Sequence, residues 1–296
     1  MKIIMNIIRG ILIGIANVIP GVSGGTMAVS LGIYDKMISS VTGLFRHFRE
    51  SMLFLLQLFI GTGIGIVGFA YAIEYLFGKY PFPTAMAFIG LIIGGIPMML
   101  DVLQLDLRRT HKKVGVLHGI AFLLLFALAV GLPLMGTGAE ADLSKSSIGI
   151  MIGLFFIGMI ASATMVVPGV SGSMVLLILG YYNSIISEIT GFLDSLRAMN
   201  LAGIGHGFAV LMPFGIGVIV GIVVIAKVIE WLLAHYRTLT YSAILGLIVA
   251  SPFAIFINQY KAGTLSFTIP GVIVGVILML VGAYLTWFLG GLGTQD

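Results

Sequence analysis

The chain has 296 residues, of which 59% are hydrophobic and only 9% are charged, and its mean hydropathy is +1.16. Soluble domains carry about 25% charged residues, so this composition cannot cover a water-facing surface and excludes a soluble globular protein. The absence of cysteine excludes disulfides, thiolate metal sites and cysteine nucleophiles. The net charge of +4 is spread over the loops, whereas nucleic-acid binding requires a basic patch or stripe, so no nucleic-acid partner is predicted.

Long uninterrupted apolar runs predict a helical membrane protein. In hydrocarbon, only α-helices and closed β-barrels satisfy every backbone group, and barrel strands would alternate apolar and polar residues, which these runs do not. A spanning helix needs about 20 apolar residues. Runs of that length lie at roughly 51–77, 84–104, 115–135, 206–233, 239–258 and 269–290. The predicted fold class is therefore all-α, polytopic and membrane-embedded.

The sequence contains two copies of one unit. Residues 16–45 and 164–193 align without a gap, and 13 of these 30 positions are identical. The identical positions include Pro-Gly-Val-Ser-Gly at 20–24 and again at 168–172, and Leu-Gly at 31–32 and again at 179–180. Internal repeats indicate a duplicated architecture. We therefore divide the chain into a first repeat, residues 1–140, and a second repeat, residues 141–296.

Each Pro-Gly-Val-Ser-Gly copy predicts a broken helix. Proline removes a backbone donor from a helix and clashes with the preceding turn, and glycine permits non-helical backbone. The apolar run before each motif is short for a full crossing. Segments 3–45 and 149–193 are therefore each predicted to form a re-entrant helix pair, and three spans follow each pair.

Loop charges predict the orientation. With three crossings per repeat, most basic loop residues fall on one side and most acidic loop residues on the other, where Lys145 and Arg197 also lie. The basic side carries Arg46, Arg49, Arg108, Arg109 and Arg237, and the other side carries Glu140, Asp142, Glu188 and Asp194. By the positive-inside rule the basic side is cytoplasmic, which predicts cytoplasmic N- and C-termini and a second repeat inverted relative to the first. If each motif segment crossed the membrane twice and did not form a re-entrant pair, every loop would lie on the same side as in this prediction.

The broken helices have the chemistry of an anion site. Inverted repeats with discontinuous helices are a transporter architecture whose site lies between the repeats. A helix that starts at a break presents free N–H groups and the positive end of its dipole, which together bind phosphate. Ser23, Thr26, Ser171 and Ser173 add hydroxyl donors. The alternative is that Pro-Gly only kinks the helix and that the hydroxyls satisfy its backbone.

Three ionisable residues in or near the apolar runs have two interpretations each. Lys36 is either a buried cation with a functional role or a surface residue whose amine reaches the cytoplasmic interface. Glu74 and Glu230 lie near the ends of their spans, where they either anchor the helix at the interface or couple transport to protons. The five histidines show no metal-ligand spacing, so no metal and no cofactor are predicted.

At the paired motif the chain resembles the polyprenyl-phosphate translocases of bacteria and archaea. The resemblance lies in Gly-Ile-Ala-Asn-Val-Ile-Pro-Gly-Val-Ser-Gly-Gly-Thr at 14–26 and Val-Val-Pro-Gly-Val-Ser-Gly-Ser at 166–173, and it extends over essentially the whole chain. It implies that the protein flips undecaprenyl phosphate across the cytoplasmic membrane so that the lipid carrier is reused in cell-wall synthesis. The isoprenoid tail follows from the resemblance alone.

The resemblance also implies which residues bind the phosphate. They are Asn17, Pro20, Gly21, Ser23, Gly24, Gly25 and Thr26 in the first copy, and Pro168, Gly169, Ser171, Gly172 and Ser173 in the second. The expected partners are the polyprenyl-phosphate substrate and membrane lipids, and a homo-oligomer is left open.

Two other functions are weighed against lipid translocation. One is a transporter or channel for a small soluble anion. The other is a membrane lipid-diphosphate phosphatase, which would require a nucleophile beside a base and cationic clamps. The motif copies contain serines but no His, Glu or Arg, so no enzymatic activity is predicted.

Single cysteines in this cysteine-free chain test the inverted layout. We expect Arg109→Cys and Asp142→Cys to be labelled by a membrane-impermeant maleimide from opposite sides of sealed vesicles, because an odd number of crossings separates them. Labelling of both from the same side would contradict the layout.

Overall fold

The computed structural model describes residues 2–18, 23–110, 113–143, 147–263 and 267–291. In these ranges the secondary structure is helical and contains no strand, as the uninterrupted apolar runs predicted. The α-helices are α1 (Lys2–Val18), α2 (Gly24–Ser30), α3 (Tyr34–Thr42), α4 (Phe48–Lys79), α5 (Pro81–Ile93), α6 (Ile96–Thr110), α7 (Val116–Gly131), α8 (Ile148–Val166), α9 (Gly172–Ile178), α10 (Tyr182–Arg197), α11 (Leu201–His235), α12 (Arg237–Lys261) and α13 (Ile269–Gly291).

Seven of the described segments are long and apolar enough to cross a membrane, which makes the protein multi-pass. They are Phe48–Phe69, Pro81–Thr110, Val116–Leu134, Ile148–Val166, Leu201–His235, Arg237–Lys261 and Ile269–Gly290. Six correspond to the predicted spans. The seventh, α8, was expected to be the first arm of a re-entrant pair, but its 19 residues suffice for a crossing. If the chain returns through α9 and α10, the predicted orientation is unchanged.

The helices group into two compact units. The first comprises residues 1–134, 167–170 and 226–296, and the second comprises residues 135–166 and 171–225. These units do not coincide with the two sequence repeats. The repeat boundary at 140/141 and the inverted relation of the repeats stay predictions.

In the first unit, glycines bring α1 against α4. A Cβ atom on Gly61 would lie 2.2 Å from the carbonyl oxygen of Ile7, and one on Gly65 would lie 2.3 Å from that of Ile11. Such small residues allow helix backbones to approach in lipid. Gly63 and Gly68 face no atom within 4 Å, so only one face of α4 uses its glycines for packing. The same device joins α5 to α13, where a Cβ on Gly90 would lie 2.1 Å from the oxygen of Met279.

In the second unit, α8 packs on α11 in the same way. A Cβ atom on Gly158 would lie 2.3 Å from the carbonyl oxygen of Phe214, and one on Gly217 would lie 2.0 Å from that of Phe155. A buried apolar cluster fills the space around these helices; it comprises Leu143, Leu154, Ala161, Leu176, Ile185 and Val210.

The chain after each motif forms two helices, α2 and α3 or α9 and α10, although the re-entrant pairs predicted for 3–45 and 149–193 have only one helix after each motif. Two residues after the end of α2 the chain has a glycine with a left-handed backbone, Gly32 (φ +69), and Gly180 (φ +79) follows α9 in the same way. The N–H of Ile33 donates to the oxygen of Ala28 at 3.0 Å, and the N–H of Tyr181 donates to that of Leu176 at 2.8 Å. Both are Schellman caps. In the second unit this turn bends the chain by 106° between α9 and α10.

Candidate functional site

The first motif copy lies where one helix ends and the next begins, as predicted: α1 ends at Val18 and α2 begins at Gly24. Ser23 is the N-cap of α2 with an extended backbone (φ −104, ψ 135), and its Oγ accepts the N–H of Gly25 at 3.2 Å. The side-chain oxygen of Asn17, at the end of α1, accepts the N–H of Gly24 at 3.0 Å. Two amides at the start of α2 are therefore already bonded to the chain's own side chains. Pro20 and Gly21 lie outside the described residues.

Thr26 connects the two motif copies within the first unit. Its side chain is fully buried, and its Oγ1 accepts the N–H of Gly169 at 2.6 Å. Gly169 has a left-handed backbone (φ +79), and a Cβ atom there would lie 2.7 Å from the carbonyl oxygen of Leu247. Only glycine fits both the conformation and the space. Pro168, beside it, is buried. Residues 143 positions apart in sequence thus meet at a single hydrogen bond.

The second motif copy lies between the end of α8 at Val166 and the start of α9 at Gly172. Ser171 occupies the N-cap of α9 with an extended backbone (φ −94, ψ 123) like that of Ser23, but its side chain caps no amide. Its hydroxyl instead lies 2.9 Å from the hydroxyl of Ser173. Gly172 is buried, and a Cβ atom there would lie 2.7 Å from Cγ of Met165. The two copies therefore share their backbone form and differ in how the new helix is capped.

The three ionisable residues take surface positions or lie outside what the structure describes. Lys36 is exposed, and its Nζ lies 4.8 Å from the centroid of the Phe54 ring. Glu230 is exposed on α11. The side chain of Glu74 lies outside the described residues. Both interpretations of Lys36, and the interfacial or coupling roles of Glu74 and Glu230, stay predictions.

A polar network at the start of α3 could not be read from the sequence. The hydroxyl of Tyr241 on α12 donates to the carboxylate of Asp35 on α3. The guanidinium of Arg237 lies 3.9 Å from a carboxylate oxygen of Asp35 and 3.9 Å from one of Asp106. These residues come from three helices, α3, α6 and α12, so no local spacing signals the network.

The corresponding position of the second copy has a different partner. Asn183, which aligns with Asp35, donates through Nδ2 to a carboxylate oxygen of Glu140 at 2.8 Å. The hydroxyl of Ser184 donates to the carbonyl oxygen of Ala141 at 2.7 Å. The segment around residue 140 is thereby tied to the start of α10 within the second unit. Among the described residues, no group of three His, Asp or Glu side chains could hold a metal ion.

Comparison with known proteins covers both motif copies. A family model described as undecaprenyl phosphate translocase-like matches residues 13–266. A Staphylococcus aureus protein named polyprenyl-phosphate transporter is 31% identical over 254 residues, which cover 85% of this chain and 86% of that protein. A Vibrio cholerae protein with the same name is 29% identical over 268 residues, which cover 85% of this chain and 77% of that protein. No solved structure matches.

The bond between the motif copies predicts a stability difference between two variants of Thr26. Thr26→Val removes the acceptor of the Gly169 N–H, and an unsatisfied buried amide costs about 1–3 kcal/mol. Thr26→Ser keeps the hydroxyl and is the matched control. Thermal unfolding in detergent should therefore show a lower midpoint for Thr26→Val than for Thr26→Ser. Equal midpoints would show that the bond contributes nothing to stability.

Proposed function

Because the chain belongs to the undecaprenyl phosphate translocase-like family, we propose that it translocates a polyprenyl phosphate across the membrane in which it lies. Both curated relatives described above carry the name polyprenyl-phosphate transporter. We further propose that the membrane is the cytoplasmic membrane, that both termini are cytoplasmic, and that the lipid moves inward for reuse.

The observation that carries the proposal is the hydrogen bond between Thr26 and Gly169. It joins a helix start in the first motif copy to the Pro-Gly turn of the second copy. A phosphate inside a bilayer must exchange its water for several donors, because a charged group without them is very costly to bury. Two interrupted segments in one place offer more backbone donors than a single kinked helix does.

We propose that the headgroup binds at residues 17–26 and 168–173, the predicted phosphate site. Asn17 is the group that a phosphate oxygen would replace, because its exposed side-chain oxygen already accepts from the Gly24 N–H. Ser23 and Thr26 remain as hydroxyl partners. Ser171, Gly172 and Ser173 continue the second copy and are proposed to add donors to the same headgroup. The isoprenoid tail stays in the surrounding lipid, so the protein has to shield only the head.

Alternating exposure of this site to the two sides of the membrane completes the proposed cycle. The sequence contains no Walker A motif, so the proposed driving force is a gradient or the consumption of the carrier inside the cell. A phosphate monoester loses its second proton near pH 6, so a proton gradient could bias its charge during transfer.

Transport without hydrolysis is part of the proposal. A phosphatase would place a nucleophile beside a general base. The described motif hydroxyls bond instead to a backbone amide, as Ser23 and Thr26 do, or to one another, as Ser171 and Ser173 do. No Asp, Glu, His, Lys or Arg occurs in residues 10–34 or 146–181, so neither motif segment supplies a carboxylate, imidazole or amine as a base.

Paired serine substitutions test the site. Ser23→Leu combined with Ser171→Leu should abolish flipping of undecaprenyl phosphate in proteoliposomes, because both helix starts lose a hydroxyl and gain bulk. The milder pair Ser23→Ala and Ser171→Ala should lower the rate at least about tenfold, as expected for lost hydrogen bonds to a charged group.

The control uses another duplicated pair of serines, Ser39 and Ser187, which are exposed and lie outside the breaks. Ser39→Leu combined with Ser187→Leu should transport normally. Unchanged transport in the Ser23/Ser171 variants, with all variants equally folded in detergent, would remove the motif from the mechanism.

A further inference from the structure

A cleft in the first unit lies away from both motif copies. It has a volume of about 550 Å³ and opens where the end of α6 meets the start of α7, the end of α11 and the start of α12. This volume is within the usual range of ligand sites. Its polar lining includes Asp106, Thr110, His118, His235, Arg237 and Thr238.

Arg237 is the cation that faces this cleft. Its side chain is 47% exposed, and its distances of 3.9 Å to Asp35 and to Asp106 are both beyond hydrogen-bond range. The two carboxylates therefore hold the guanidinium by charge, beside the ring of Tyr241, whose centroid lies 5.7 Å from its central carbon. A guanidinium in this position can offer two parallel donors to a phosphate.

Basic residues lie in the lining of the cleft and beside it along the chain. Arg108 and Arg109 lie in the last turn of α6, directly before the lining residue Thr110, and Lys113 lies between Thr110 and the lining residue His118. With Arg237, four cations are thus in the lining or within three residues of a lining residue. Such a concentration of positive charge attracts anions.

His118 orients a neutral donor beside Arg237. Its Nδ1 accepts the N–H of Gly115 at 3.1 Å, so in the neutral ring Nε2 carries the proton. Nε2 lies 3.1 Å from the hydroxyl oxygen of Thr238, which accepts that proton and leaves its own hydrogen to donate elsewhere. The cleft thus combines a guanidinium with an adjacent hydroxyl, a pairing that suits phosphate oxygens.

The aromatic residues beside the cleft indicate that its ligand is a lipid. The ring of Trp231 lies 5.0 Å from that of His235 and 5.7 Å from that of Tyr236. Trp231 and Tyr236 are both exposed. Tryptophan and tyrosine concentrate at membrane–water interfaces, at the level of the lipid headgroups. A phosphate held at this level arrives with its tail already in the bilayer.

We propose that this cleft is a docking site for the phosphate-monoester headgroup of a membrane lipid, with Arg237 as its principal ligand. The inference rests on the proposed function, because the lipid in question is the translocated substrate at the basic end of its path. A headgroup on Arg237 competes with Asp35, whose carboxylate also holds the hydroxyl of Tyr241. Docking therefore acts on α3, the helix that follows the first motif hairpin.

The chain contains two tryptophans, Trp231 and Trp287, which allows a direct test. Trp287→Phe leaves Trp231, next to the cleft, as the only tryptophan reporter. Titration of this purified protein with dodecyl phosphate should change the fluorescence of Trp231 saturably. Arg237→Gln should raise the midpoint at least about tenfold, the effect expected for a lost charge-assisted pair. Thr110→Phe, which fills the cleft without changing charge, should weaken binding as well.

The matched control is Arg197→Gln, because Arg197 is 80% exposed on α10 and pairs only locally with Asp194. It should leave the midpoint unchanged. The lack of a saturable response, or equal midpoints for Arg237→Gln and Arg197→Gln, would overturn the proposal. Inorganic phosphate acting at the same midpoint as dodecyl phosphate would overturn the assignment to a lipid.

The docking site and the transport function can fail separately. If the protein flips undecaprenyl phosphate but Trp231 does not respond to dodecyl phosphate, the docking site is wrong and the function stands. If Trp231 responds through Arg237 but no flipping occurs in proteoliposomes, translocation is wrong, and the cleft remains a phospholipid-headgroup site.

Discussion

The structure depends on how a backbone amide is satisfied where hydrocarbon offers it no partner. In a continuous helix each N–H donates to the carbonyl oxygen four residues earlier. A protein that interrupts a helix inside a membrane must provide other partners for the freed groups. Here the side chains of Asn17 and Ser23 accept backbone N–H groups at the start of α2. The side chain of Thr26 accepts the N–H of Gly169 in the second motif copy. These bonds are weak enough individually for a phosphate oxygen to replace one of them, and together they stabilise the break. A site built this way serves both stability and binding.

The duplication preserves backbone geometry more faithfully than it preserves polar partners. Both copies have an extended serine before a seven-residue helix, and both end that helix with a left-handed glycine. The side chains that follow then differ, because Asp35 meets Tyr241 and Arg237 whereas Asn183 meets Glu140. The carboxylate of the first copy thus accepts a tyrosine hydroxyl and lies near a guanidinium, whereas the corresponding amide of the second copy donates to a carboxylate.

The sequence predicted the features that depend on local chemistry. Uninterrupted apolar runs predicted the helices, and Pro-Gly predicted both interruptions. The sequence did not reveal the turns at Gly32 and Gly180, although Leu-Gly was visibly repeated, because a glycine in an apolar run is equally compatible with helix packing. Nor did it reveal the Thr26–Gly169 bond or the Arg237 network, since each joins distant residues whose spacing carries no periodic signal. The sequence predicted the extent of α8, and Pro168 follows shortly after its end, but local chemistry does not decide whether a helix of 19 residues crosses the bilayer or turns back within it.

Family membership and geometry support the same function from independent directions. The two relatives are named polyprenyl-phosphate transporters, while the interrupted helices explain how a phosphate could lose its water inside a bilayer. The central claim is that the headgroup binds the backbone at these breaks. A cryo-electron microscopy structure in lipid nanodiscs with undecaprenyl phosphate tests it most directly. The account predicts phosphate density within about 4 Å of a backbone nitrogen of residues 24–26 or 172–174, consistent with direct hydrogen bonds. Phosphate density remote from both breaks, with Asn17 still bonded to Gly24, would contradict it.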